Sequence, residues 1–103
     1  MFLAKVTGSL VATQKLDSMR GHKLLLVEPY RLDPESHTSL VSTGRTFVAV
    51  DSLGAGEGEM VLLCQGSSAR LTPETKNLPI DAVIIGIVDQ VRAGQSSVFS
   101  RQD

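Results

Sequence analysis

Two short motifs and a few titratable side chains are where this chain could do chemistry. The first motif is Gly54-Ala55-Gly56-Glu57-Gly58-Glu59. Glycine-rich runs cradle phosphate when they lead from a strand into a helix, whose first amides and dipole hold the anion. This run lies between two strand-like segments and carries Glu57 and Glu59, which repel phosphate. It reads as a structural turn. The second motif is Gly66-Ser67-Ser68-Ala69-Arg70. Joined to His22 or His37 and to Asp51 or Asp81, either serine would complete a hydrolase triad, which requires hydrogen-bond contact in the fold. A nucleophile elbow has glycine on both sides of its serine. Ser67 and Ser68 have it on one side only, and both histidines lie in polar stretches.

The remaining candidates are weaker. Cys64 ends an apolar run with no base beside it, the setting of a buried structural thiol. As the one cysteine it excludes an internal disulfide and provides no metal-ligand spacing. Glu28, Asp33, Glu35, Asp51 and Asp81 follow no calcium-loop pattern. Neither a metal nor a cofactor is expected. A single-stranded nucleic-acid module would stack bases on aromatic rings along a basic groove. The chain offers Phe2, Tyr30, Phe47 and Phe99, no tryptophan, and ten basic against eleven acidic residues. Nucleic acid is kept as the alternative reading, without the basic excess that phosphate binding demands.

The elements that would position these residues are strands. At 103 residues, 42% hydrophobic and 20% charged, the chain fits one globular domain. No run approaches the ~20 apolar residues of a membrane span, and the first residues lack a signal-peptide pattern. A cytosolic protein is therefore expected. Phe2, Ala4, Val6, Gly8 and Leu10 alternate with Leu3, Lys5, Thr7 and Ser9, which predicts a half-buried strand with a bend at Gly8. Further strands are expected at Lys23–Glu28, stopped by Pro29, and at Thr46–Val50, Glu59–Cys64 and Ala82–Val91. Residues Tyr30–Gly44 read as a hairpin excursion, and the segment after Gly66 has room for one helical turn. Five short strands without a helical period predict an all-β, five-stranded, OB-like closed barrel. The barrel is expected over residues 1–92, with a polar, mobile tail at 93–103 that is either a disordered extension or an arm reaching an adjacent subunit.

The last of these strands is apolar on both faces. Val83, Ile85 and Ile87 occupy one, and Ile84, Gly86 and Val88 the other. Burying one such side chain contributes about 1.5–3 kcal/mol, so an uncovered second face drives association. Either another subunit or the chain's own loops must cover it.

Three blocks carry a resemblance to a known family. They are Met1–Lys15 (MFLAKVTGSLVATQK), Asp51–Arg70 (DSLGAGEGEMVLLCQGSSAR) and Thr75–Val91 (TKNLPIDAVIIGIVDQV). In this order and at this length the chain resembles the EutN/CcmL family of bacterial microcompartment vertex proteins. The resemblance implies a non-enzymatic barrel that assembles into a homo-pentamer and plugs the corners of a shell tiled by hexagonal proteins, within the bacterial cytoplasm. It also implies that Gly54, Gly56, Gly66, Ser67, Ser68, Ala69 and Arg70 lie near subunit contacts or a central opening. The final strand, through Ile84 and Val88, is expected to meet a neighbour. Arg70 reads equally as a cross-subunit partner or as a surface charge.

Overall fold

A computed structural model describes residues 1–101 of the chain. The strands are β1 Phe2–Leu10, β2 Lys23–Leu32, β3 Leu40–Ser42, β4 Phe47–Asp51, β5 Met60–Gln65, β6 Ala82–Ile87, β7 Gln90–Ala93 and β8 Ser96–Ser100. Short 3₁₀ turns stand at Asp17–Met19 and Gly66–Arg70. Five strands pair in the order β1-β5-β6-β4-β2, and β1 pairs back with β2, which closes the expected barrel. Only β4 and β6 run parallel among these neighbours.

Period-two alternation fills the interior. Ala4, Val6, Leu25, Val27, Ala49, Val61, Leu63, Ala82 and Ile84 point inward and form one cluster. One rim carries Phe2, Phe47, Gln65 and Ala82. The other carries Lys23, Asp51, Met60 and Ile87, as the strand registers require.

Three expectations are corrected. Pro29 does not stop β2, which continues to Leu32. Pro29 falls between the stretch of β2 paired with β4, ending at Val27, and the stretch paired with β3, starting at Tyr30. Its missing N–H therefore costs neither of those ladders a bond. The final strand is shorter than expected and splits into β6 and β7. Between Ile84 and Gly86 the register against β5 shifts, leaving Ile85 as an extra residue. Ile87 consequently turns inward and packs on the core with Ile84, on the opposite parity to a regular strand. Last, residues 93–100 of the expected tail take up regular structure and complete the β7–β8 hairpin. Residues 102 and 103 lie outside the described residues.

The second apolar face of β6 is covered by the chain itself. Val83 and Val50 form an outer-wall cluster with Ala69 of the second 3₁₀ turn, and Met19, Leu24, Cys64, Ile80 and Ile85 pack against it. Of the two ways to cover that face, the chain's own loops prevail. The hairpin β7–β8 forms a separate two-stranded sheet. The molecule is elongated, 47 × 25 × 23 Å, with a radius of gyration of 14.4 Å.

Candidate assembly surfaces

The glycine loop sits at the Asp51 rim and is built around one carboxylate. Asp51, at the end of β4, is buried, and its Oδ1 accepts the Leu53 N–H at 2.9 Å while Oδ2 accepts the Ala55 N–H at 2.8 Å. Lys23 Nζ donates to the Ala55 carbonyl at 3.1 Å and lies 3.8 Å from Asp51 Oδ2. These bonds hold Ala55 as a plug in the barrel core. Gly58, at φ +87, turns its N–H onto the Val6 carbonyl at 2.8 Å, and Val6 returns a bond to Glu59 O at 2.9 Å. Glu59 Oε1 accepts the Gly56 N–H at 2.7 Å. The Leu53, Ala55 and Gly56 amides are thus already engaged by carboxylates and the Gly58 amide by a carbonyl, and the loop is a structural turn.

The Gly66–Arg70 turn leaves the opposite rim. Gly66, at φ +74, donates to Asp81 O at 2.7 Å. Thr75 Oγ1 donates to Ala69 O at 2.7 Å, and Arg70 Nη1 reaches Ile80 O at 3.3 Å. The segment is thereby folded back on the outer wall with Ser67 and Ser68 exposed. No hydrogen bond joins either serine to His22 or His37 among the described residues, and the Asp51 carboxylate is committed to backbone amides. No triad is assembled. His22 immediately precedes β2 at the far rim, whereas His37 lies in the β2–β3 connection.

The residues expected at contacts therefore divide. Gly54, Gly56 and Val88 lie at the Asp51 rim, and Gly66, Ser67, Ser68 and Arg70 at the other. Ile84 is 1% exposed and belongs to the core of its own barrel, which corrects its expected place at a contact. Ala69, within the second 3₁₀ turn, is likewise fully buried against the outer wall of its own chain. Neither side chain has surface left for a neighbour.

Other surface features escaped the sequence reading. Val48 (44% exposed) stands in an outer-wall groove with Met19, Leu24, Pro79 and Ile80, and Leu71 (82% exposed) projects beside Arg70. Apolar alternation marks the first as a strand residue but does not reveal which outward face stays open. Phe2, Tyr30 and Phe47 converge with Arg31 and Arg45 at a groove of about 340 Å³, with the Arg45 guanidinium 5.0 Å from the Phe47 ring centre. Strand pairing alone brings these distant residues together, so no local motif signals them. Phe99 lies elsewhere, on β8 beside Glu59 and Met60.

Comparison with known proteins accounts for this architecture. The family model described as "Ethanolamine utilisation protein EutN/carboxysome" matches residues 1–89. The microcompartment shell vertex protein PduN of Salmonella typhimurium is 52% identical over 89 residues, covering 86% of this chain and 96% of that protein. The structure of CcmL from Gloeobacter violaceus aligns over 100% of both chains at 36% identity, with a TM-score of 0.86. GrpN of Rhodospirillum rubrum, described as a pentameric microcompartment shell protein, aligns over 91% of this chain and 99% of its own, at 41% identity and a TM-score of 0.75. These relatives are structural shell proteins rather than enzymes or nucleic-acid modules. The chain belongs to the EutN/CcmL family of microcompartment shell vertex proteins.

Proposed function

We propose that this chain forms a homo-pentamer that closes the vertices of a bacterial microcompartment shell, set among hexagonal shell proteins. The observation that carries the reading is the likeness, over nearly the whole of both chains, to the pentameric shell protein GrpN. The action is geometric. A pentagon placed among hexagons introduces the curvature that a flat hexagonal sheet lacks, and so lets the shell close.

A ring of identical subunits is held by heterologous contacts, each joining two different patches. The two rims supply different surfaces. Gly54, Gly56 and Val88 border one patch, and Gly66, Ser67, Ser68 and Arg70 border the other. Small residues permit close backbone approach, and Arg70 retains donors for a carboxylate or carbonyl across the contact. The exposed Leu53, Val48 and Leu71 add apolar area of the kind an interface removes from water.

Native mass spectrometry of the purified chain tests the reading. A dominant species at five times the chain mass, persisting at micromolar concentration, is the expected result. A monomer or dimer under those conditions overturns it.

A further inference from the structure

Among the described residues the β7–β8 hairpin pairs with no other strand, and it lies beyond the stretch matched by the family model. A two-stranded hairpin alone in water is marginally stable. Yet its root is built with care. Arg101 N–H donates to Asp89 O at 2.7 Å, its Nη1 lies 3.3 Å from Asp89 Oδ1, and its Nη2 lies 2.6 Å from Glu59 Oε2. The ion pairs tie the hairpin's end to the glycine loop, since the other Glu59 oxygen holds the Gly56 N–H. The hairpin is an arm with a fixed base.

Exposed strand edges invite pairing, and proteins normally guard them with lysine, proline or inward charges. β8 reads Ser-Ser-Val-Phe-Ser and carries none of these. Within the barrel sheet, β3 is the appended terminal strand. It reads Leu-Val-Ser and likewise carries no lysine, proline or charge, its three-residue length being its one guard against longer pairing. β3 pairs with Tyr30–Leu32, past the Phe2 rim, whereas the arm follows Val88 at the opposite rim. One chain therefore presents two strand edges free of charge and proline at its two ends. That is the arrangement a head-to-tail ring requires: two separate patches, each unable to satisfy the other within one copy.

We propose that β8 of one copy adds to the open edge of β3 in the next copy around the ring. This rests on the pentameric reading and names a contact within it. Main-chain hydrogen bonds supply the attraction, as in other strand-addition contacts, and the Arg101 clamp aims the arm.

Cysteine cross-linking tests the contact. In a Cys64→Ser background, Val41→Cys is combined in turn with Ser96→Cys, Ser97→Cys, Val98→Cys or Phe99→Cys, and the protein is mildly oxidised. Facing positions on adjacent strands have Cβ atoms close enough for a disulfide. At least one pair is expected to give a ladder of covalent oligomers up to the pentamer on a non-reducing gel, while Val41→Cys alone stops at dimer or below. A native pentamer in which no pair gives a ladder overturns the proposal and leaves the ring standing. A chain that is never a pentamer overturns the ring first. In parallel, Ser97→Lys with Val98→Lys is expected to raise the concentration at which the ring dissociates by tenfold or more, with the monomer's melting temperature unchanged. An unaltered dissociation concentration counts against the arm.

Discussion

The barrel and the β7–β8 arm solve the same problem in opposite ways. Every barrel strand has its two neighbours, because β1 pairs with both β5 and β2. Its apolar residues meet inside, and the outward face of β6 is roofed by the chain's own turns. The arm has one pairing, a single turn and a salt-bridged base. Both are β-structure made from ordinary residues. The lesson is that closure, more than strand content, decides which part of a small β-protein is self-sufficient.

The largest expected effect comes from charge placed inside the closed part. Ile84→Asp puts a carboxylate among apolar side chains with no partner, at a cost of several kcal/mol. Domains of this size have only about 5–15 kcal/mol of stability in total. We expect loss of the cooperative melting transition or insoluble protein. Val98→Asp, on the arm, is expected to leave barrel unfolding within about 0.5 kcal/mol of wild type. Circular dichroism melts of the two variants decide the matter. Equal damage from both would break the distinction between barrel and arm.

The next effect lies at the barrel's own plug. Asp51→Ala removes the acceptor for the Leu53 and Ala55 amides. Leaving a buried donor unpaired costs about 1–3 kcal/mol; with the Ala55 bond buried and the Leu53 bond part-buried, a loss of about 1–3 kcal/mol or somewhat more is expected in denaturant unfolding. Asp51→Asn, which keeps one acceptor oxygen, is expected to fall between wild type and alanine. If alanine and asparagine behave alike, the carboxylate does not organise the glycine loop.

This contrast also shows what the sequence makes legible. Strict alternation in Phe2–Leu10 groups Ala4 and Val6 on one face, the one the barrel buries, and the glycine spacing marks a turn, because both features are local. The register shift at Ile85 was invisible, since a bulge depends on the partner strand. It reversed the face of Ile87, whereas Ile84, before the shift, shares the inward face with Ala82. The pairing within the arm is hidden for a related reason. Ser96–Ser100 is polar enough to resemble a tail, and only its pairing with Gln90–Ala93 makes it a strand. Contact surfaces between copies depend on which outward faces stay open, and that is settled by loops such as Met19 and Ile80 folding over the wall.

A smaller effect concerns the hinge between the two regions. The Arg101–Glu59 pair is partly exposed, at 43% and 22% of the respective side chains. Such pairs contribute about 0–1 kcal/mol. Arg101→Ala should therefore barely move global stability. It should speed hydrogen exchange in β7 and β8 severalfold while β5 stays protected, because local opening and global unfolding are separate events. Equal acceleration in β5 would mean that the arm and barrel unfold as one unit.

The smallest expected effect tests whether the loop leading to β3 responds independently of the barrel. The Glu35 N–H donates to Asp33 Oδ1 at 2.9 Å and holds the Asp33 carboxyl below its ordinary 3.8, with Ser36 and the Arg31 charge assisting. A carboxyl with a lowered folded pKa stabilises the fold above its ordinary pKa, and that contribution disappears as pH falls through the folded value. Asp33 is exposed, so the consequence is local. The Asp33 backbone also bonds Ser39 O at 2.9 Å and accepts the His37 N–H at 3.0 Å, which closes the loop just before β3. Acidification from about pH 5 to below the ordinary carboxylate range should shift the Glu35 amide resonance and accelerate its exchange, with the amides of Val61 and Leu63 unmoved. Asp33→Asn should abolish the pH step. A Glu35 amide that ignores pH in the wild type would show that the carboxylate does not hold this loop, and that β3 is set by its ladder with β2 alone.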